Sequence, residues 1–203
     1  MSGLALVILA AGESARLGRC KALVPLTPRT PLDLLCAAGA CITEHALVIT
    51  GAHHAEIAAA APPVVEVVSN PEWRSGRSGG VLLAWRHRPG RDLCVAPVDV
   101  PLVPPSVFAT LLRTWIEAGS PPRGWLAPSF TPPFPLQSRP STRFGHPVVI
   151  GRDLREDLAA LGPGIPLRRL REAASPVFSV PVDTPAILDD LDSPEDFSRL
   201  SAR

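Results

Sequence analysis

The sequence predicts an α/β protein of one domain, with three layers (α/β/α) around a mostly parallel, Rossmann-like sheet. Three observations point there. Stretches with strand character alternate with helical ones through the first 130 residues. The strand stretches are near-continuous apolar runs, which marks a parallel sheet covered on both faces. The first of them, Leu4 to Ala11, breaks at Gly12 into a short polar loop, ESARLGRCK, and the chain turns apolar again at Ala22.

The elements follow in order. Leu4–Ala11 reads as a buried strand. Ala22–Leu26 leads to a proline-rich corner at Pro28 and Pro31, and Pro31–Cys41 is a helix with proline at its first position. Ala46–Thr50 is a strand that stops at Gly51; His54–Ala61 is an alanine-rich helix halted by Pro62 and Pro63. Val64–Val68 is a strand, Asn70–Gly80 a polar loop, and Val81–His87 a helix closed by Pro89-Gly90. Leu93–Val98 is a strand running into Asp99-Val100-Pro101. Helical spacing of Val107, Phe108, Leu111, Leu112, Trp115 and Ile116 predicts a helix over Pro105–Ala118. Trp125–Pro128 is a short strand. Ser129–Phe144 carries four prolines and no periodicity, and reads as an excursion or a lid. Pro147–Ile150 resumes as a strand, Leu154–Leu161 and Leu167–Ala174 are helices about a Gly-Pro-Gly turn, and Val177–Val182 is a strand. Ser193 or Pro194 opens a last helix with Glu195 and Asp196 in its first turn, where acids suit the helix dipole.

A chain of 203 residues fits one domain, 1–203. Twenty Lys and Arg against 19 Asp and Glu leave a net charge of +1, so there is no general field for nucleic acid or an anionic membrane. Cys20, Cys36, Cys41 and Cys94 form no C-x-x-C pair and suit reduced, packed thiols in a cytoplasmic protein. Cys20 alone lies inside the opening loop, where a gap-filling role outweighs a catalytic one. No apolar run approaches the roughly 18 residues of a membrane helix.

The opening loop holds Gly12, Ser14, Arg16, Gly18, Arg19 and Lys21. Glycines let backbone N–H groups approach phosphate oxygens, and cations neutralise their charge. The loop is neither a G-x-G-x-x-G fingerprint nor a Walker A loop, since five residues separate Gly12 from Gly18 and Lys21 is not adjacent to Gly18.

The residues Leu9, Ala10, Ala11, Gly12, Ser14, Arg16, Leu17, Gly18 and Lys21 fill the pattern L-A-A-G-x-S-x-R-[LM]-G-x-x-K. This resembles the signature of nucleotidyltransferases of the molybdenum-cofactor type, whose loop wraps a nucleoside triphosphate. The Ala10-Ala11 pair resembles the cytidylyl branch. Asn70-Pro71-x-Trp73-x-x-Gly76 is similar to a family segment near base and ribose; Asp99-Val100-Pro101 resembles its D-x-P, whose acid holds Mg²⁺. Gly145-His146-Pro147 resembles its G-H-P near the acceptor, and Asp190–Asp196 resembles its late D-I-D-T-P-E-D. The resemblance implies a fold of the nucleotide-diphospho-sugar transferase type. It implies transfer of a nucleotidyl group, CTP being the favoured donor, to a phosphorylated small molecule such as molybdopterin, and a molybdoenzyme as client.

In that reading Arg16, Lys21 and Asp99 are catalytic, Leu9, Ala10, Ala11, Gly12, Ser14, Arg16, Lys21, Asn70 and Gly76 hold the nucleotide, and Asp99 and Asp192 hold the metal. His146 and Arg143 face the acceptor. Asp192 has a rival role as cap of the last helix, and Asp190 and Asp183 are weaker metal candidates. Trp73 is a stacking candidate or a loop anchor, Arg139 and Arg19 read as surface charges, and His53 and His54 as solvated helix-start residues. Two stretches depart from the family pattern: Arg77-Ser78-Gly79-Gly80 replaces Met and a serine pair, and Gly162-Pro163-Gly164 lacks an acid. Those departures motivate the alternatives, a sugar phosphate or choline phosphate as acceptor, or a carrier without catalysis. A glycosyltransferase ranks last, because the one D-x-D, Asp190–Asp192, lies near the C-terminus and not after an early strand.

Overall fold

The computed structural model describes residues 3–43, 45–132, 142–162 and 164–202. Most of the expected lid, with Arg139, and Pro163 of the Gly-Pro-Gly turn lie outside the described residues.

An eight-stranded sheet forms the centre, in the order β3-β2-β1-β4-β7-β5-β6 with β8 paired to β5. The strands are β1 (Leu4–Ala10), β2 (Leu47–Thr50), β3 (Glu66–Ser69), β4 (Asp92–Pro97), β5 (Trp125–Phe130), β6 (Arg143–Phe144), β7 (Val148–Ile150) and β8 (Val177–Pro181). The pairs β1–β2, β2–β3, β1–β4 and β5–β8 are parallel. β7 runs antiparallel between β4 and β5, and β6 antiparallel to β5.

Six α-helices accompany the sheet among the described residues: α1 (Pro31–Ala38), α2 (His54–Ala60), α3 (Arg77–His87), α4 (Pro105–Glu117), α5 (Leu154–Leu161) and α6 (Pro194–Ser201). β1 explains the layering, because every residue in it is buried. Leu4, Leu6 and Ile8 join a core with Leu32 and Leu35 of α1, Ile57 of α2 and Phe108, Leu111 and Trp115 of α4. Ala5, Val7 and Leu9 point the other way, into a core with Val81, Ala84 and Trp85 of α3 and Leu154 and Leu158 of α5. Alternate residues of a strand face opposite sides, so a strand apolar at every position needs helices on both. Both faces of β1 are buried, and truncating Leu6 or Ile8 to Ala there would cost about 2–5 kcal/mol of stability.

Where sequence expectation and structure differ, the reasons are local. α3 begins at Arg77, not Val81, because Gly76 with φ 106° ends the preceding turn and Ser78 is already buried. Gly79 and Gly80 are therefore helical; a Cβ on Gly80 would sit 3.4 Å from Ile49 and 3.5 Å from Leu9, in ordinary van der Waals contact, so the helix packs directly on the sheet there. Residues Leu167–Glu172 form a 3₁₀ turn rather than an α-helix. A smaller third core joins Leu17, Val24 and Leu26 after β1 to Leu191 and Leu200 near the C-terminus, which carries the last helix to the opening loop.

Candidate active site

Strand order reverses across β1 and β4, since β2 and β3 lie beyond one and β7 beyond the other. In open α/β sheets ligands bind at the carboxyl ends of the strands where the order reverses. A cleft of about 170 Å³ lies there, lined by Leu9–Gly12, Ser14, Lys21, Asn70, Trp73, Gly76, Arg77 and Asp99 among others. A second, of about 390 Å³, shares Leu9, Gly76, Arg77 and Pro97 with it and adds Trp125, His146, Ile165 and Arg168.

The loop after β1 is shaped by its own polar groups. Ser14 has φ 55°, a region non-glycine residues visit rarely. Its carbonyl accepts from the N–H groups of Leu17 and Gly18, both at 3.0 Å, and its hydroxyl accepts from the N–H of Lys21 at 3.2 Å. Gly18, at φ 72°, takes the left-handed turn that a side chain would strain. A Cβ on Gly12 would meet nothing within 4 Å, so that flank of the loop opens onto the cleft.

Two carboxylates face this loop. Asp99 follows β4, and its Oδ2 accepts from Arg77 at 2.8 Å. Its Oδ1 is buried without a partner among the described residues. Asp192 is held by both loop cations, Arg16 and Lys21. Partial burial pushes its carboxyl up, and the bonds and charges of Lys21 and Arg16 more than offset this, so its pKa is lowered. Capping of α6 falls to Ser193, which forms a capping box with Asp196, and so the Asp192 side chain is not the cap.

The approach of the C-terminal segment is explained by Leu191. Its side chain is fully buried in the third core, and its N–H donates to the Asp99 carbonyl at 2.7 Å. In an extended segment the neighbours of a buried residue face the other way. Asp190 thus belongs to the same acidic group: although the residue is exposed as a whole, desolvation and the nearby charges of Asp99 and Asp192 raise its pKa. An acid pair or triad beside two loop cations, with a buried carboxylate oxygen lacking a donor among the described residues, matches the oxygen ligands Mg²⁺ takes. Asp183 lines neither cleft.

Three buried side-chain atoms lack partners among the described residues: Asn70 Nδ2, Asp99 Oδ1 and His146 Nδ1. Each belongs to a residue that lines one of the two clefts. Buried polar groups are ordinarily bonded, so this coincidence marks a binding surface. His146 is driven to a pKa of about 4, chiefly by burial and then by the charge of Arg77, and is neutral near pH 7.

The remaining expectations divide. Trp73 lines the first cleft, with Arg74 stacked 4.2 Å from its ring centre. Arg143 is exposed on β6 and lines neither cleft. Arg19 lies 4.4 Å from the Phe197 ring centre. Cys20 is buried, and that burial raises its thiol pKa, which argues against a reactive thiolate. His53 and His54 are not simply solvated: His53 contacts Glu56 and the Glu13 carbonyl, and His54 Nδ1 lies 2.8 Å from the Thr50 hydroxyl. Ser78 does not stand in for the absent serines in the cleft, since its hydroxyl donates to the Ile165 carbonyl. Sequence reasoning missed Arg77 and Arg168 as site cations. The helix start at Gly76 is the signal that could have placed Arg77, while Arg168 reaches the cleft only through tertiary folding.

The chain belongs to the MobA-like NTP transferase family, whose domain matches residues 6–177. It is thereby a nucleotidyltransferase. Among solved structures, Rv0371c from Mycobacterium tuberculosis H37Rv is similar, with 24% identity, all of both chains covered and a TM-score of 0.75. A manganese complex of Rv0371c is also similar, at 23% identity, 98% of each chain and a TM-score of 0.70. The 2-C-methyl-D-erythritol 4-phosphate cytidylyltransferase from Thermus thermophilus aligns at 19% identity over 100% of this chain and 98% of its own, with a TM-score of 0.72. At these identities the likeness establishes the fold. A search of curated proteins returned no match.

Proposed function

We propose that this nucleotidyltransferase is Mg²⁺-dependent and moves a nucleotidyl group, CMP from CTP, to a phosphorylated small molecule, releasing pyrophosphate. Molybdopterin is the acceptor that the sequence resemblance suggests, and the whole chain serves as one transferase domain. The observation that carries the reading is the buried Oδ1 of Asp99, without a partner among the described residues, set at the end of β4 in the same cleft as the loop after β1.

Roles follow from chemistry. The residues Leu9–Gly12, Ser14, Arg16 and Lys21 receive the triphosphate, and Asn70 and Gly76 the base and ribose. Asp99 and Asp192 would hold the metal, which when bound would neutralise phosphate charge and help pyrophosphate leave. Arg16 and Lys21 exchange Asp192 for phosphate oxygens when the donor arrives. Arg16 offers a bidentate fork and Lys21 a mobile point charge. His146, neutral and facing the second cleft, hydrogen-bonds the acceptor. Transfer then rests on placing an acceptor phosphate oxygen in line with the α-phosphorus, since little covalent work falls to the protein.

A pyrophosphate-release screen tests this: CTP, GTP, ATP and UTP with Mg²⁺ against molybdopterin and a panel of sugar phosphates and choline phosphate. Release with CTP and molybdopterin is expected. Release only with another pair would reassign donor or acceptor, and tight binding of a nucleotide without turnover of any pair would favour the carrier.

A further inference from the structure

At the edge of the first cleft stands a cluster of metal-ligand side chains with no part in the proposed reaction. Cys20, His53 and Glu56 each offer one donor atom, and the three atoms lie within 4.8 Å of one another. They come from two elements. Cys20 sits in the loop after β1, immediately before Lys21, and lines the first cleft; His53 and Glu56 lie at the start of α2.

The histidine is already oriented. Its Nε2 lies 3.0 Å from the Glu13 carbonyl oxygen, which can only accept, so Nε2 carries a proton. Its Nδ1 lies 3.0 Å from Glu56 Oε1, which accepts when ionised, so without a metal this nitrogen too is a donor, and that bond raises the pKa of His53. A ring N–H given to a backbone carbonyl, with the other nitrogen turned toward further ligand atoms, is how proteins fix a metal-binding imidazole. Cys20 supplies what the Asp99–Asp192 pair lacks, a soft sulfur ligand.

We propose that Cys20, His53 and Glu56 bind a thiophilic divalent ion of the zinc class, at a site separate from the Asp99 and Asp192 carboxylates. One thiolate, one imidazole and one carboxylate are a zinc-type donor set, and three protein ligands leave room for an exchangeable fourth. Binding replaces the thiol proton of Cys20 and the proton that His53 Nδ1 donates to Glu56, both of which leave to solvent. Affinity therefore rises with pH. Burial and the Glu56 charge raise the thiol pKa, and a dication opposes both effects. The ion ties the loop after β1 to α2 on one side while Ser14 ties it internally on the other.

The test uses the full chain, reduced and freed of metal by chelation, titrated with Co²⁺ and then Zn²⁺ without nucleotide, so its outcome is independent of transferase activity. The site predicts one Co²⁺ per chain with a thiolate-to-cobalt charge-transfer absorption that Zn²⁺ abolishes and excess Mg²⁺ does not. Binding weakens about tenfold or more in His53→Ala and Glu56→Gln. The absorption disappears in Cys20→Ser and persists in Cys41→Ser. Should Cys20→Ser fold poorly, protection of Cys20 from alkylation by Zn²⁺ in the unaltered chain reads the same contact. Absence of the charge-transfer absorption in the unaltered chain, its persistence in Cys20→Ser, or alkylation of Cys20 at a rate indifferent to Zn²⁺ overturns the proposal.

Discussion

The two halves of the sheet are built by different rules: the proposed donor cleft lies within one half, and the proposed acceptor cleft bridges both. From β3 to β4 the strands are parallel neighbours, and the loops after β1 and β4 meet at one cleft. From β7 to β6 the strands reverse, short segments pair out of chain order, and the second cleft is assembled from residues 9, 76, 77, 125, 146 and 164–168. The donor side is a contiguous loop answered by two carboxylates. The acceptor side is a meeting of distant pieces. A triphosphate demands backbone and cations at fixed spacing, whereas an acceptor demands only a wall of the right shape, which many combinations of segments can supply.

Breaking the donor half should have the largest effect. Asp99→Ala is expected to lower kcat by about 10³-fold or more, and Lys21→Ala to lower kcat/KM for the triphosphate by about 10²-fold, because preorganised charge at the phosphates is what this chemistry uses. Steady-state pyrophosphate release reads both. A full rate in Asp99→Ala would remove the metal assignment.

The next test separates the halves. Arg168→Ala should raise the KM for the acceptor about tenfold, the worth of one charged hydrogen bond, and leave the KM for the triphosphate unchanged. Equal changes in both constants would mean that the two clefts do not divide the substrates. A smaller effect sits on the shared wall. Arg77 pairs with Asp99 at 2.8 Å, but its side chain is 56% exposed, so the pair is worth little. Arg77→Met should strengthen Mn²⁺ binding by at most about fivefold, read by titration, because only a weak competitor for the Asp99 carboxylate is removed. Weaker Mn²⁺ binding in this variant would show that Arg77 helps to build the metal site.

The smallest effect is on pH. His146 has a folded pKa of about 4 against an ordinary 6.5. The unfolded chain thus binds more protons between those values, and stability rises with pH across that window. The contribution of His146 is whole above the ordinary value and is lost as pH falls toward the folded one. Melting temperatures at about pH 7.5 and about pH 5 should differ less in His146→Gln than in the unaltered chain; an equal difference would place the titrating group elsewhere.

Legibility followed the same division. The apolar run Leu4–Ala10 and the loop behind it were plain because both faces of β1 are buried and the loop is local. Asp99 was readable as the acid that ends a buried strand. Asp192 beside Arg16 and Lys21 was legible only through the family resemblance and not from local pattern, because it depends on Leu191 entering a core with Leu17 and Leu26, a contact across most of the chain. The start of α3 was obscured by glycines, which in a helix interior disfavour the helix by about 1 kcal/mol each. Here the burial of Val81, Ala84 and Trp85 in one core with Leu9 and Ile49 outweighs that preference. The antiparallel placement of β7 left no trace in its three residues, Val148–Ile150, which would suit either direction.

At the centre stands the proposal that the loop after β1 and the acids Asp99 and Asp192 form one metal–triphosphate site. A crystal structure with Mn²⁺ and a non-hydrolysable CTP analogue tests it most directly. Anomalous density for manganese is expected against both carboxylates, with Arg16 and Lys21 moved from Asp192 onto the phosphates. A nucleotide bound elsewhere, with both cations still on Asp192, would contradict it.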